Sequence, residues 1–252
     1  MVINMTYTTI KRAYDIPCMH NVRPESTHVI LACHGFGGSM ESRAITMLAE
    51  SAAREGIQLI AFDFPAHGKS TAPDNMLTVS NCLDDITAVY DYAKSIAPAA
   101  EISLFGSSMG GNFLLNWISR ENKRGGRAVK NVVCRCAAVC MRSIMEGMIG
   151  EDNLTRFREV GWFEMGHERR MKVPYTFFRE LERFDCFQLF RKGKENYLFL
   201  HGTEDEIALL ADIRRFTHLY KLTLVEIPGA GHRFSEPGEM EKVVFETVSY
   251  IR

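Results

Sequence analysis

Three side chains widely separated along the chain have the types needed to share one proton path: Ser108, Asp205 and His232. Ser108 stands in Gly106-Ser107-Ser108-Met109-Gly110, a G-x-S-x-G pattern that directly follows the apolar run EISLF (101–105). A serine hydroxyl is a weak nucleophile at neutral pH. It needs an imidazole to take its proton and an acid to orient that imidazole. Asp205 falls just past the run NYLFLHG (196–202), and His232 just past LTLVEIP (222–228). Glu204 and Glu206 flank Asp205 and stand as alternative acids, although the H-G-x-x-D phrasing favours Asp205. The small residues around Ser108 also have a mechanical reason. A nucleophile displayed on a sharp turn between strand and helix is strained, and glycines let the two elements pass closely. Attack on a carbonyl carbon would generate an oxyanion, which needs preorganised amide donors worth roughly 3–4 kcal/mol each. The Met109 amide and, from the loop CHGFGGS (33–39), the Phe36 amide are the expected pair, with Gly35 and Gly37 letting the backbone turn inward.

These residues must be held by a scaffold, and the apolar pattern describes one. The runs HVILAC (28–33), QLIAFDF (58–64), EISLF (101–105), NVVCRCAAVC (131–140), NYLFLHG (196–202) and LTLVEIP (222–228) are nearly continuous in apolar character, as strands covered on both faces are. Between them, helical spacing predicts helices over 40–55, 81–96, 112–120 and 238–251. Alternation of this kind gives an α/β fold with a mostly parallel central sheet flanked by helices. The first two dozen residues suit an antiparallel edge hairpin. Residues 141–195 break the rhythm: no strand is evident, yet aromatic residues crowd among arginines, too many for a disordered linker. The expected division is a body made of 1–140 and 196–252, with 141–195 as a helical cap insertion.

Composition narrows the class. The 252 residues are 46% hydrophobic and 24% charged, with a formal net charge of −1, so the chain has no electrostatic footprint for nucleic acid. No apolar run reaches the ~18 residues that would cross a bilayer, and the N-terminal residues lack the apolar centre of a signal peptide. Seven cysteines without an export signal suggest reduced thiols and a cytoplasmic location. Cys134, Cys136 and Cys140 alternate as core residues do, and no metal site is read from them. His34, His67 and His201 sit beside glycines at strand ends, the place of hydrogen-bonded turn residues. Arg135 is out of place in a buried strand and must be paired or face a pocket. A substrate-binding role is expected for it, and also for Trp162 and Phe163 in the cap. Oligomeric state, a homodimer included, has no signature here.

In chain order, HGFGG, FDFPAHGKS, GSSMGG, HGTEDEI and GAGHRFS resemble an α/β-hydrolase, most like the small-cap bacterial esterases that include cinnamoyl and feruloyl esterases. The resemblance spans residues 28–251. The stretch at 62–70 is similar to the family's F-D-x-x-G-H-G-x-S turn, with Pro65-Ala66 before His67. The resemblance implies an α/β-hydrolase fold with a small helical cap. It implies hydrolysis of a small-molecule carboxylic ester by a Ser108-His232-Asp205 triad through an acyl-enzyme, with no cofactor and no metal. Two rivals stand beside it: a serine peptidase, since GHRFS also resembles the ends of prolyl-oligopeptidase-like enzymes, and a non-catalytic hydrolase-like binding protein.

Overall fold

The computed structural model describes residues 3–166 and 170–252. An eight-stranded sheet runs through its centre. Strands β1 (Thr6–Lys11) and β2 (Asp15–His20) form the expected antiparallel hairpin at one edge. Strands β3 (His28–Cys33), β4 (Gln58–Phe62), β5 (Glu101–Ser107), β6 (Asn131–Arg135), β9 (Asn196–Gly202) and β10 (Thr223–Ile227) are mutually parallel, in the spatial order β1-β2-β4-β3-β5-β6-β9-β10. Every residue of β3 is buried. Its alternate side chains feed two cores: Val29, Leu31 and Cys33 one, Ile30 and Ala32 the other. That two-sided burial is what a continuous apolar run encodes.

Helices α1 (Arg43–Arg54) and α9 (Glu239–Ile251) cover one face through residues such as Ile45, Leu48, Val243 and Ile251. Helices α2 (Val79–Ile96), α3 (Met109–Arg124) and α8 (Leu210–Tyr220) cover the other through Ile86, Phe113 and Phe216. Thr78 caps α2 by accepting the Asn81 amide at 3.1 Å, and Gly125 ends α3 in the left-handed region.

The expected boundaries move where backbone chemistry overrides apolar spacing. Helix α1 begins at Arg43 rather than at 40, because Met40 donates its amide to Asp63 and the Ser42 amide closes a turn onto Ser39. Strand β4 stops at Phe62, since Asp63 turns to accept the Met40 and Lys69 amides. Helix α3 starts at Met109, three residues before the predicted onset at 112, and so takes Gly110 and Gly111 into its first turn. The run 131–140 is a strand only to Arg135: Cys136 has a φ of 44°, which turns the chain out of the sheet.

Residues 141–195 also depart from the expectation of helices alone. The segment contains α4 (Met141–Ile149), α5 (Glu151–Val160), α6 (Tyr175–Glu180) and α7 (Cys186–Leu189). It also holds two antiparallel strands, β7 (Trp162–Met165) and β8 (Met171–Pro174), which form a small sheet of their own. Four-residue strands are too short for a period-of-two pattern to stand out among aromatics. The aromatic residues pack on one another, as in Phe157 with Tyr175 and Phe178, and Phe177 reaches Phe113 on α3.

Candidate active site

The turn that carries Ser108 is built from strand β5 and helix α3. Ser108 connects them with φ 52° and ψ −112°, a conformation that costs an L-residue energy and that only tight surroundings sustain. Its amide donates to the Arg135 carbonyl at 2.9 Å, and its own carbonyl accepts from the Asn112 and Ala138 amides. Clearance comes from glycine. A Cβ on Gly110 would lie 2.4 Å from the Cys33 carbonyl oxygen and 2.6 Å from that of His34, and one on Gly106 would meet Gly111 backbone at 2.7 Å. Both clashes are with backbone, which cannot step aside. Gly110→Ala is therefore expected to destabilise the fold by about 3 kcal/mol, seen as a lower urea midpoint at unchanged slope.

The three predicted side chains meet. The His232 ring places Nε2 3.0 Å from Ser108 Oγ, and its Nδ1 donates to Asp205 at 2.9 and 2.8 Å. With Nδ1 carrying the proton, Nε2 presents a lone pair to the Ser108 hydroxyl. Asp205 is buried and also accepts the Ile207 and Ala208 amides through Oδ1. Burial on its own would raise this carboxyl. The hydrogen bond and charge of His232, the Cys136 thiol and the Ile207 amide together hold it below the usual carboxylate range. Of the alternative acids, Glu206 touches only the His232 backbone amide, at 3.4 Å.

The loop after β3 lies against this turn: a Cβ on Gly35 would sit 3.3 Å from Ser108 Cβ. Neither the Phe36 amide nor the Met109 amide has a hydrogen-bond partner among the described residues. Met109 opens a 16-residue helix whose first amides lack intrahelical acceptors and whose dipole favours negative charge.

The turn histidines have structural partners. His34 donates Nδ1–H to the Gly35 carbonyl and accepts the Phe64 amide at Nε2, and burial lowers its pKa to about 4. His67 bonds the Pro65 carbonyl and His201 the Ala208 carbonyl. Cys136, His201 and Asp205 bring potential ligand atoms within 4.8 Å of one another. The donor set does not suit a metal. Asp205 is engaged by His232 and two amides, His201 Nε2 by Ala208, and burial pushes the Cys136 thiol far above its ordinary range. The Cys136 thiol instead hydrogen-bonds Asp205. Alternating spacing along the strand gave no hint of this. Sheet order does: Arg135 pairs with Leu200, and the Cys136 amide then donates to the Leu200 carbonyl, one residue before His201.

The three expected substrate-binding residues are placed differently. Arg135 is buried and directs its guanidinium at Ser107 Oγ and the His232 carbonyl, so it does not face a substrate. Trp162 is 41% exposed on β7, with the Lys172 ammonium 4.6 Å from its ring centroid. Phe163 packs on Phe157. A cavity of about 840 Å³ opens between α8, the chain after β6 and the segment around α7. Asn112, one turn along α3 from Ser108, lines it with Cys140, Arg142, Phe187 and Arg215; Trp162 and Phe163 do not.

The fold agrees with the comparisons. The model of the alpha/beta hydrolase fold family matches residues 28–160, more than half of the chain, and the protein belongs to that family. A putative hydrolase from Agrobacterium vitis S4 superposes with a TM-score of 0.84 at 19% identity, over 100% of both chains. Est1E from Butyrivibrio proteoclasticus, solved with ferulic acid bound, superposes with a TM-score of 0.80 at 22% identity, over 96% of this chain and 97% of that one. At such identities the likeness is one of fold. In sequence, the chain is 30% identical over 116 residues to the quorum-quenching protein AidA of Acinetobacter baumannii (strain MDR-ZJ06), which is 43% of this chain and 38% of that relative. Among the described residues no helix is long and apolar enough to cross a membrane.

Proposed function

We propose that the protein is a serine hydrolase of carboxylic esters, working through a Ser108-linked acyl-enzyme. The observation that carries this reading is the unbroken relay from Asp205 through His232 to Ser108, each contact 3.0 Å or less. His232 takes the Ser108 proton as Oγ attacks the ester carbonyl, and the Asp205 carboxylate keeps the ring in the Nδ1–H tautomer. The Met109 and Phe36 amides receive the oxyanion. Protonated His232 then delivers its proton to the departing alcohol, and water repeats the sequence on the acyl-enzyme. The chain between β6 and β9 serves as a cap that shapes acyl and alcohol preference. A reducing cytoplasm is the proposed compartment, supported by seven free cysteines.

Small hydroxycinnamoyl esters head the candidate substrates, because the similar fold of Est1E holds ferulic acid. The test is covalent. A fluorophosphonate should add one phosphonyl group per chain, mapped by peptide mass to Ser108 and prevented by denaturation. A panel of short-chain, long-chain and hydroxycinnamoyl esters, with an aminoacyl anilide as the peptidase control, then ranks substrates. Failure of the probe to react with folded protein would reject the hydrolase reading, and anilide cleavage faster than any ester would move it to a peptidase.

A further inference from the structure

Arg135 ends strand β6 as a buried cation without a carboxylate. Among the described residues no acid lies within ion-pair distance of it; Asp205 acts on it only from further away. Its guanidinium instead donates Nε–H and Nη2–H to Ser107 Oγ at 3.1 and 2.6 Å, and Nη1–H to the His232 carbonyl at 3.0 Å. The Phe234 ring packs against the same group, 5.4 Å from centroid to Cζ. Removing a cation from water for neutral acceptors is costly, and a well-packed apolar side chain would usually serve stability better. The arrangement is therefore accounted for by what it connects.

It connects the two halves of the relay. Ser107 pairs with Arg135 across the β5–β6 ladder and immediately precedes the nucleophile. The Arg135 carbonyl takes the Ser108 amide, so one residue grips both serines. The opposite half, residues 228–234, is a loop with Gly229 at φ 75° and Phe234 at φ 52°. Among the described residues the backbone at His232 has two polar ties: a long one from its amide to Glu206, and the one from its carbonyl to Arg135. We propose that Arg135 is a positioning residue, a guanidinium bracket that fixes the His232 loop against the nucleophile strand and so sets the reach from Nε2 to Ser108 Oγ. This rests on the hydrolase reading above. Ser107, at the variable position of the G-x-S-x-G pattern, becomes the second half of the bracket.

The experiment compares wild type with Arg135→Met, Arg135→Lys, Ser107→Ala and the Met/Ala double variant, well below their melting temperatures. It measures steady-state cleavage of p-nitrophenyl acetate and the rate of fluorophosphonate labelling. A displaced imidazole should lower kcat of Arg135→Met by about 10- to 100-fold with KM within about twofold. Labelling should slow by the same factor, since it reads Ser108 reactivity without substrate fit. Arg135→Lys should recover part of the rate. Ser107→Ala should cost a few-fold, and the double variant should be no slower than Arg135→Met alone, because both changes break one bracket. Folded Arg135→Met with wild-type kcat and labelling would overturn the proposal, as would a loss confined to KM or single effects that multiply. If Arg135→Met does not fold, unimpaired kcat in both Arg135→Lys and Ser107→Ala overturns it. Wild type that resists labelling brings down the hydrolase reading and this proposal together; labelled wild type with an equally reactive Arg135→Met brings down this proposal alone.

Discussion

Ser108→Ala is expected to lower kcat on a p-nitrophenyl ester by about 10⁵- to 10⁶-fold, the loss typical of deleting the nucleophile of such a relay. The variant should keep the wild-type circular dichroism spectrum, because among the described residues the hydroxyl has no partner other than the His232 ring, while the backbone of residue 108 keeps its bonds to Arg135, Asn112 and Ala138. Alanine carries the same positive-φ strain as serine, so thermal stability should move little. On the proposed mechanism, what remains is the contribution of the oxyanion donors and substrate binding, which act on water attack without a covalent step. Steady-state assays above background, paired with a thermal melt, check both halves. Wild-type turnover by a folded alanine variant would remove Ser108 from the chemistry.

Legibility in the sequence followed the range of the forces involved. Strands β3 and β9 lie where the apolar runs place them, residue for residue, because burial on both faces leaves a continuous apolar signature. Ser108, Asp205 and His232 were readable since each stands just past a strand end, where a parallel sheet gathers side chains at one edge. The start of α3 was not readable from spacing: Gly110 and Gly111 are poor helix formers alone, and close packing against Cys33 and Ala137 selects them. The β7–β8 pair was hidden by its brevity. Arg135 was visible only as an anomaly, a charge in an apolar run. Its partners, Ser107 and the carbonyl of His232, lie 28 and 97 residues away in sequence and meet it through sheet order. Cys136 beside Asp205 is of the same kind, a contact set by register and by a φ of 44° that no composition encodes.

Asp205→Asn should lower kcat by about 10⁴-fold with little change in KM. The cause is tautomeric. The Ile207 and Ala208 amides both donate to Oδ1, so an asparagine there would turn its carbonyl oxygen toward them and its NH₂ toward His232. Nδ1 would then have to accept, the ring proton would move to Nε2, and the base would present N–H to a hydroxyl it should deprotonate. The flanking acid gives the control: Glu206→Gln, which touches only the His232 amide, should retain activity within a few-fold. Stability supplies a second readout with a definite sign. The Asp205 carboxyl titrates below its unfolded range, so its ionised form adds stability above the unfolded pKa near 4, and that share is lost as pH falls through the lower folded value. The gap in unfolding free energy between wild type and Asp205→Asn should accordingly be widest near neutrality and close in acid. A kcat for Asp205→Asn within tenfold of wild type, with Glu206→Gln strongly impaired, would transfer the orienting role to the neighbouring carboxylate.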